Sequence, residues 1–226
     1  MAQRQAAPPR VIAVSGTKGG IGKSTIAVFL AAEAHARGQR VLLVDGDPQG
    51  SARTWADVAA ERGQPIPSVV AAGAQMHTPG QLDVLRQGYD VVVIDVPGRL
   101  DAIQRSALLA ADLALLPCGP SGVEAWAMAA SVELVQQAQQ YRPALRAAIV
   151  VTRRKPRTTL GREIRRGLEA TGLPLLAAEL CDREAYRGAL MTGMSLAAYA
   201  PQDAAVQEVR LLCDELLGKE PRRRAS

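Results

Sequence analysis

Gly16-Thr17-Lys18-Gly19-Gly20-Ile21-Gly22-Lys23-Ser24-Thr25 separates a short apolar strand at residues 11–15 from an alanine-rich helical stretch at 23–37. Glycines at this junction let the backbone curl until successive N–H groups point inward at one anion. The helix that follows turns its positive N-terminus toward the same place. Lys23 is placed to reach phosphate oxygens, and the Ser24 hydroxyl to ligate Mg²⁺. A dinucleotide-type Gly-x-Gly-x-x-Gly would start at Gly20 and Gly22, but Thr25 stands where its third glycine belongs. The stretch therefore reads as a loop for the phosphates of a mononucleotide.

Outward from this loop, the chain alternates β-branched runs with helical stretches, the pattern of βαβ units around a parallel sheet. Strands are expected at 11–15, 41–45, 91–95, 113–117 and 147–152, with weaker signals at 69–72 and 175–178. Helices are expected at 23–37, 78–87, 104–111, 122–140, 159–171, 183–192 and 202–217. Aromatics are only 3% of the 226 residues, so the core falls to Ala, Val, Leu and Ile, which suit a sheet covered on both faces. The expectation is one α/β domain over 11–218, doubly wound with a mostly parallel sheet, flanked by disordered ends at 1–10 and 219–226.

The loop departs from the ordinary Gly-x-x-x-x-Gly-Lys-Ser/Thr pattern: the first glycine belongs at position 17, which is threonine, and Lys18 adds a second lysine ahead of the glycines. Two further segments end strands in carboxylates, Val41-Leu-Leu-Val-Asp45-Gly-Asp47-Pro48-Gln49 and Val91-Val-Val-Ile-Asp95-Val-Pro97-Gly98. Strand alternation turns Asp45 and Asp47 to the same side, toward the loop.

With Lys18-Gly-Gly-Ile-Gly-Lys23-Ser-Thr, these segments resemble the deviant Walker A, Asp-x-Asp-Pro-Gln and Walker B boxes of the ParA/MinD superfamily of P-loop NTPases. The chain most resembles the small, ParF-like ParA partition proteins. The resemblance implies a slow ATPase using ATP and Mg²⁺, with Lys18 reaching across an ATP-dependent homodimer to the partner's nucleotide. It implies catalytic roles for Lys18, Lys23 and Asp47, with Asp47 orienting water. It further implies ATP contacts from Lys18, Gly19, Gly20, Ile21, Gly22, Lys23, Ser24, Thr25, Thr152 and Arg153, and an Mg²⁺ shell of Ser24, Asp45 and Asp95. A ParB-like adaptor would stimulate turnover, and the cargo would be a plasmid, chromosome or protein assembly.

The charge is unevenly placed. The chain nets +5, yet the run from Arg153 to Arg166 alone carries +6, leaving −1 for the rest. Arg153, Arg154, Lys155, Arg157, Arg162, Arg165 and Arg166 face one acid, Glu163, within the run. If Leu160, Ile164 and Leu168 form the buried stripe of a helix, Arg162, Arg165 and Arg166 fall opposite it. Such a face suits nonspecific DNA binding through phosphates, although a solvated charged face has the same pattern. A second, shorter basic run lies at Arg222–Arg224.

Other classes find less support. The expected C-terminal helix carries four acids against Arg210, unlike a basic amphipathic membrane helix of the MinD kind. A metabolic P-loop enzyme would need a further acid/base constellation, and none is evident. Cys118, Cys181 and Cys213 are widely spaced and odd in number, which fits a reducing compartment. The expected location is the cytoplasm, on the nucleoid.

Overall fold

The computed structural model describes residues 10–98, 102–120, 122–155 and 165–218, and the backbone alone at 122–127. Seven strands form one parallel sheet: β1 (Arg10–Val14), β2 (Val41–Asp45), β3 (Ser68–Ala71), β4 (Val91–Asp95), β5 (Leu113–Cys118), β6 (Arg146–Arg154) and β7 (Leu175–Cys181). Their spatial order is β3-β2-β4-β1-β5-β6-β7, and every neighbouring pair is parallel. β1 thus lies centrally between β4 and β5, with the phosphate loop leaving its C-terminal end. In open sheets of this kind, ligands collect at the carboxyl ends of the strands.

The helices are α1 (Lys23–Ala36), α2 (Ser51–Glu61), α3 (Leu82–Leu85), α4 (Ala102–Ala110), α5 (Gly122–Tyr141), α6 (Glu184–Thr192), α7 (Leu196–Tyr199) and α8 (Ala204–Leu217). Residues 165–169 are also helical. The strands' two-residue alternation sorts the core into two halves. Ile12, Val14, Val41, Leu43, Val91, Val93, Leu113 and Leu115 turn toward α1, α2, α6 and α8. Val11, Ala13, Leu42, Val44, Val92, Ile94, Ala114 and Leu116 turn toward α4 and α5. Continuous apolar runs are what strands buried on both faces require.

Helix α1 is buried almost all round, from Ile26 through Ala32 and again at Ala34. Its alanines let it sit close to the sheet, while α8 covers its outer side. Phe29, 1% exposed, is the largest fully buried side chain of this layer after Trp55; removing such a ring typically costs about 3–5 kcal/mol.

The same alternation fixes the carboxylates. Asp45 continues the 41-43-45 row and Asp95 the 91-93-95 row, so both lie on the α1 face, directly paired in the β2–β4 register. Val14, the last residue of β1, pairs with Asp95 on the other side.

Several expectations need correcting. Helix α2 falls where none was expected. The helix expected at 78–87 contracts to the single turn of α3. Arg10, assigned by sequence to the disordered start, is the first residue of β1 and donates its backbone N–H to the Asp90 carbonyl at 3.1 Å. The doubly wound, mostly parallel sheet is as expected, and every neighbouring pair of described strands is parallel. Only residues 165–171 of the helix expected at 159–171 are described, and the expected tail lies outside the described residues.

Candidate nucleotide site

Gly22, left-handed at φ 93°, caps α1 without offering a side chain, and no acid occupies the first turn. Glycine tolerates that φ without strain. The helix therefore starts with no side chain satisfying its first amides, which suits an anion. Lys23, 6% exposed, donates its Nζ to the Lys18 carbonyl at 2.7 Å and so closes the loop on itself. Burial lowers the Lys23 pKa, opposed by the charges of Asp95 and Asp47. Lys18 itself is half-buried.

Four neighbouring elements fix the loop. At its entrance, Gln104 of α4 donates to the Ser15 hydroxyl at 3.1 Å, and the Ser131 hydroxyl of α5 accepts the Thr17 N–H at 3.2 Å. At its far side, Thr152 donates from its hydroxyl to the Ile21 carbonyl at 3.0 Å, and the Arg153 guanidinium to the Gly20 carbonyl at 3.1 Å. Thr152 and Arg153 thus adjoin the loop through its backbone. Gly98, after β4, comes so close that an added Cβ would lie 3.0 Å from Lys23 Nζ and 3.1 Å from the Gly19 nitrogen. Ser131, Gln104 and the close approach of Gly98 were not anticipated, because only the fold brings them to the loop.

The three aspartates part company here. Asp95 is fully buried and neither carboxylate oxygen has a hydrogen-bond donor in bonding geometry. Its pKa is pushed up to about 7, first by burial and then by Asp45 and Asp47; the Ser24 hydroxyl and Lys23 pull the other way. A buried carboxylate left without donors beside a hydroxyl fits a cation. Among the described residues no group of three or more metal-binding side chains forms. Mg²⁺ commonly binds through one or two protein groups together with phosphates and water.

Asp45, by contrast, is already engaged. Its Oδ1 accepts the Asp47 N–H at 3.1 Å; its Oδ2 accepts the Arg53 N–H at 3.0 Å and the Arg53 Nε–H at 3.4 Å. Gly50 caps α2 without a side chain, so Asp45 supplies the missing acceptor from a distance. Asp47 is half-buried, and its Oδ1 accepts only the Gln49 N–H at 2.9 Å among the bonds seen. From the loop, a cleft of about 280 Å³ runs past Thr25, Ile26, Thr152 and Arg153 to Arg183 and Tyr186.

The profile of the CobQ/CobB/MinD/ParA nucleotide-binding domain matches residues 12–196. The chain belongs to this family. It is a ParA/MinD-superfamily P-loop ATPase, a class that works on ATP with Mg²⁺. It is 32% identical to the maintenance of carboxysome distribution protein A of Halothiobacillus neapolitanus over 91% of this chain and 95% of that one. It is 30% identical to the chromosome-partitioning ATPase Soj of Thermus thermophilus, over 93% and 96%. The septum site-determining protein MinD of Pyrococcus horikoshii, solved with Mg-ADP, shares the fold at a TM-score of 0.74 and 20% identity, covering 92% and 96%.

The basic run of this ATPase is less open than its sequence implies. Glu179 of β7 pairs with Arg154, and with Arg165 at 2.8 Å; Arg165 also donates to the Leu176 carbonyl at 3.2 Å. A further acid arrives from the neighbouring strand. Arg153, Lys155 and Arg166 are exposed, and Arg157 and Arg162 lie outside the described residues. Among the described residues, no helix is long and apolar enough to cross a membrane.

Proposed function

We propose that this positioning ATPase is a slow switch: it dimerises on ATP, holds DNA nonspecifically while dimeric, and moves a large cargo through an adaptor that speeds hydrolysis. One observation carries the reading. The loop carries two lysines, and the buried one, Lys23, is tethered to the backbone of the other. A second lysine in such a loop fits contact with a nucleotide bound by a partner subunit, as the resemblance to the superfamily implies.

The residues then divide the work. Loop amides and Lys23 bind and neutralise the phosphates. Ser24 and Asp95 would hold Mg²⁺, which when bound would supply further neutralisation of phosphate charge. Asp47 orients the attacking water, and Asp45 holds the segment of Asp47 through its N–H. This reading moves Asp45 from the metal shell to a positioning role, since its two oxygens already accept three donors. Two relatives, named for carboxysome distribution and chromosome partitioning, support a large intracellular cargo and a nucleoid-bound location.

Lys155 and Arg166 are exposed within the basic run and carry the DNA contact. Mobility shifts on two unrelated duplexes, with and without a non-hydrolysable ATP analogue, test it. Binding should need the analogue, ignore sequence and fall steeply with salt. The Lys155→Glu/Arg166→Glu variant should lose it while keeping its nucleotide affinity. A wild-type chain that never binds DNA refutes this part of the proposal.

A further inference from the structure

Arg183 and Tyr186 form the far wall of the 280 Å³ cleft. Both are held from behind by Glu208, on α8. Glu208 Oε1 accepts from Arg183 Nε at 2.8 Å and pairs with its terminal nitrogen at 2.7 Å. Its Oε2 accepts the Tyr186 hydroxyl at 2.9 Å and the Cys181 N–H at 3.0 Å. The Glu208 side chain is only 12% exposed, so one carboxylate serves four donors with little help from water.

The support behind Glu208 is itself fixed. Val206, Val209, Leu212, Cys213 and Leu216 bury the inner face of α8. Arg37, the residue that closes α1, pairs with Asp214 at 2.6 Å and with Glu33 at 2.9 Å, tying α8 to the helix that starts at Lys23. The Tyr186 ring is also packed against Phe29 of α1, centroids 5.8 Å apart and tilted by 51°. An arginine side chain has large rotamer freedom when left alone, and here that freedom is removed before any ligand arrives.

We propose that Glu208 is a positioning residue for the nucleoside half of the bound nucleotide. It holds Arg183 and Tyr186 as the surface on which base and ribose rest, so the chain binds a nucleotide in preference to bare polyphosphate. This rests on the reading that the phosphates occupy the loop at 16–25, since the cleft starts there.

The test uses the full chain and two probes, a non-hydrolysable ATP analogue and inorganic tripolyphosphate. Glu208→Gln keeps the shape but sets an amide donor against a donor at one of its two oxygens. Affinity for the ATP analogue should fall about tenfold or more, tripolyphosphate affinity should stay unchanged, and kcat at saturating ATP should stay within about twofold. Tyr186→Phe, which deletes one hydroxyl, should weaken the ATP analogue alone and add nothing to Glu208→Gln. It keeps the proposal testable if Glu208→Gln does not fold. Equal loss for both probes, or unchanged affinity for the ATP analogue, overturns the proposal. Wild-type protein that binds neither probe overturns the phosphate-loop reading, and the proposal with it.

Discussion

The amine of Lys23 is bonded to the carbonyl of Lys18 at 2.7 Å, so the loop's two lysines are joined through the backbone of the first and not through opposed charges. The geometry of the phosphate cradle therefore depends on the small space into which that amine folds. Gly98 borders that space.

Gly98→Ala should disturb the cradle from outside it. The new methyl would sit 3.1 Å from the Gly19 nitrogen and 3.2 Å from its Cα, backbone that cannot swing aside as a side chain can. Overpacking of this kind costs about 1–3 kcal/mol. Titration with an ATP analogue should show affinity lowered by about tenfold or more, while thermal melting without nucleotide shifts by only a few degrees.

Asp95 makes stability without nucleotide depend on pH. Its pKa is raised from 3.8 to about 7 in the folded chain, mainly by burial. The folded state therefore favours the protonated acid. Stability from this group is full below about pH 4, is lost as pH rises toward 7, and stays lost above it. At about 1.4 kcal/mol per pH unit, the ceiling on that loss is roughly 4 kcal/mol. Asp95→Asn should stabilise the nucleotide-free protein at pH 8, with the gain vanishing near pH 4. Urea unfolding across that range measures it, and a gain independent of pH would contradict the assignment.

Asp47 and Asp45 should separate kinetically. Asp47→Ala should bind the ATP analogue and dimerise, with phosphate release slowed by about 10²–10⁴-fold. Asp45→Ala should also slow turnover, by displacing Asp47, and should destabilise α2 by about 1 kcal/mol, the usual effect of a lost cap. Its dependence on Mg²⁺ concentration should match the wild type. A need for clearly more Mg²⁺ than the wild type would return Asp45 to the metal shell.

Much of this architecture was legible in the chain, and what was not has identifiable causes. The phosphate loop and its flanking strands show because glycines, Lys23 and unbroken β-branched runs leave few alternatives. Helix α2 was invisible because its buried face is Ala52, Trp55, Ala56 and Ala59; the spacing is helical, but three of the four are alanines and its cap is a carboxylate outside the helix. The stretch at 78–87 misled in the opposite sense, since its apolar residues fold mostly into turns around α3. The division between Asp45 and Asp47 could not be read from spacing, as it depends on where Arg53 returns. Glu179 lies thirteen residues beyond the basic run in sequence, yet meets two of its arginines through the β6–β7 pairing. Glu208 carried no local signal at all.

The central claim, an ATP-dependent dimer that depends on Lys18, is tested most directly by light scattering with Mg²⁺ and a non-hydrolysable ATP analogue. The wild-type chain should move from its monomer mass of 23.9 kDa to twice that value. Lys18→Ala should bind the analogue within about threefold of wild-type affinity and remain at 23.9 kDa. A Lys18→Ala protein that dimerises as the wild type does would contradict the account.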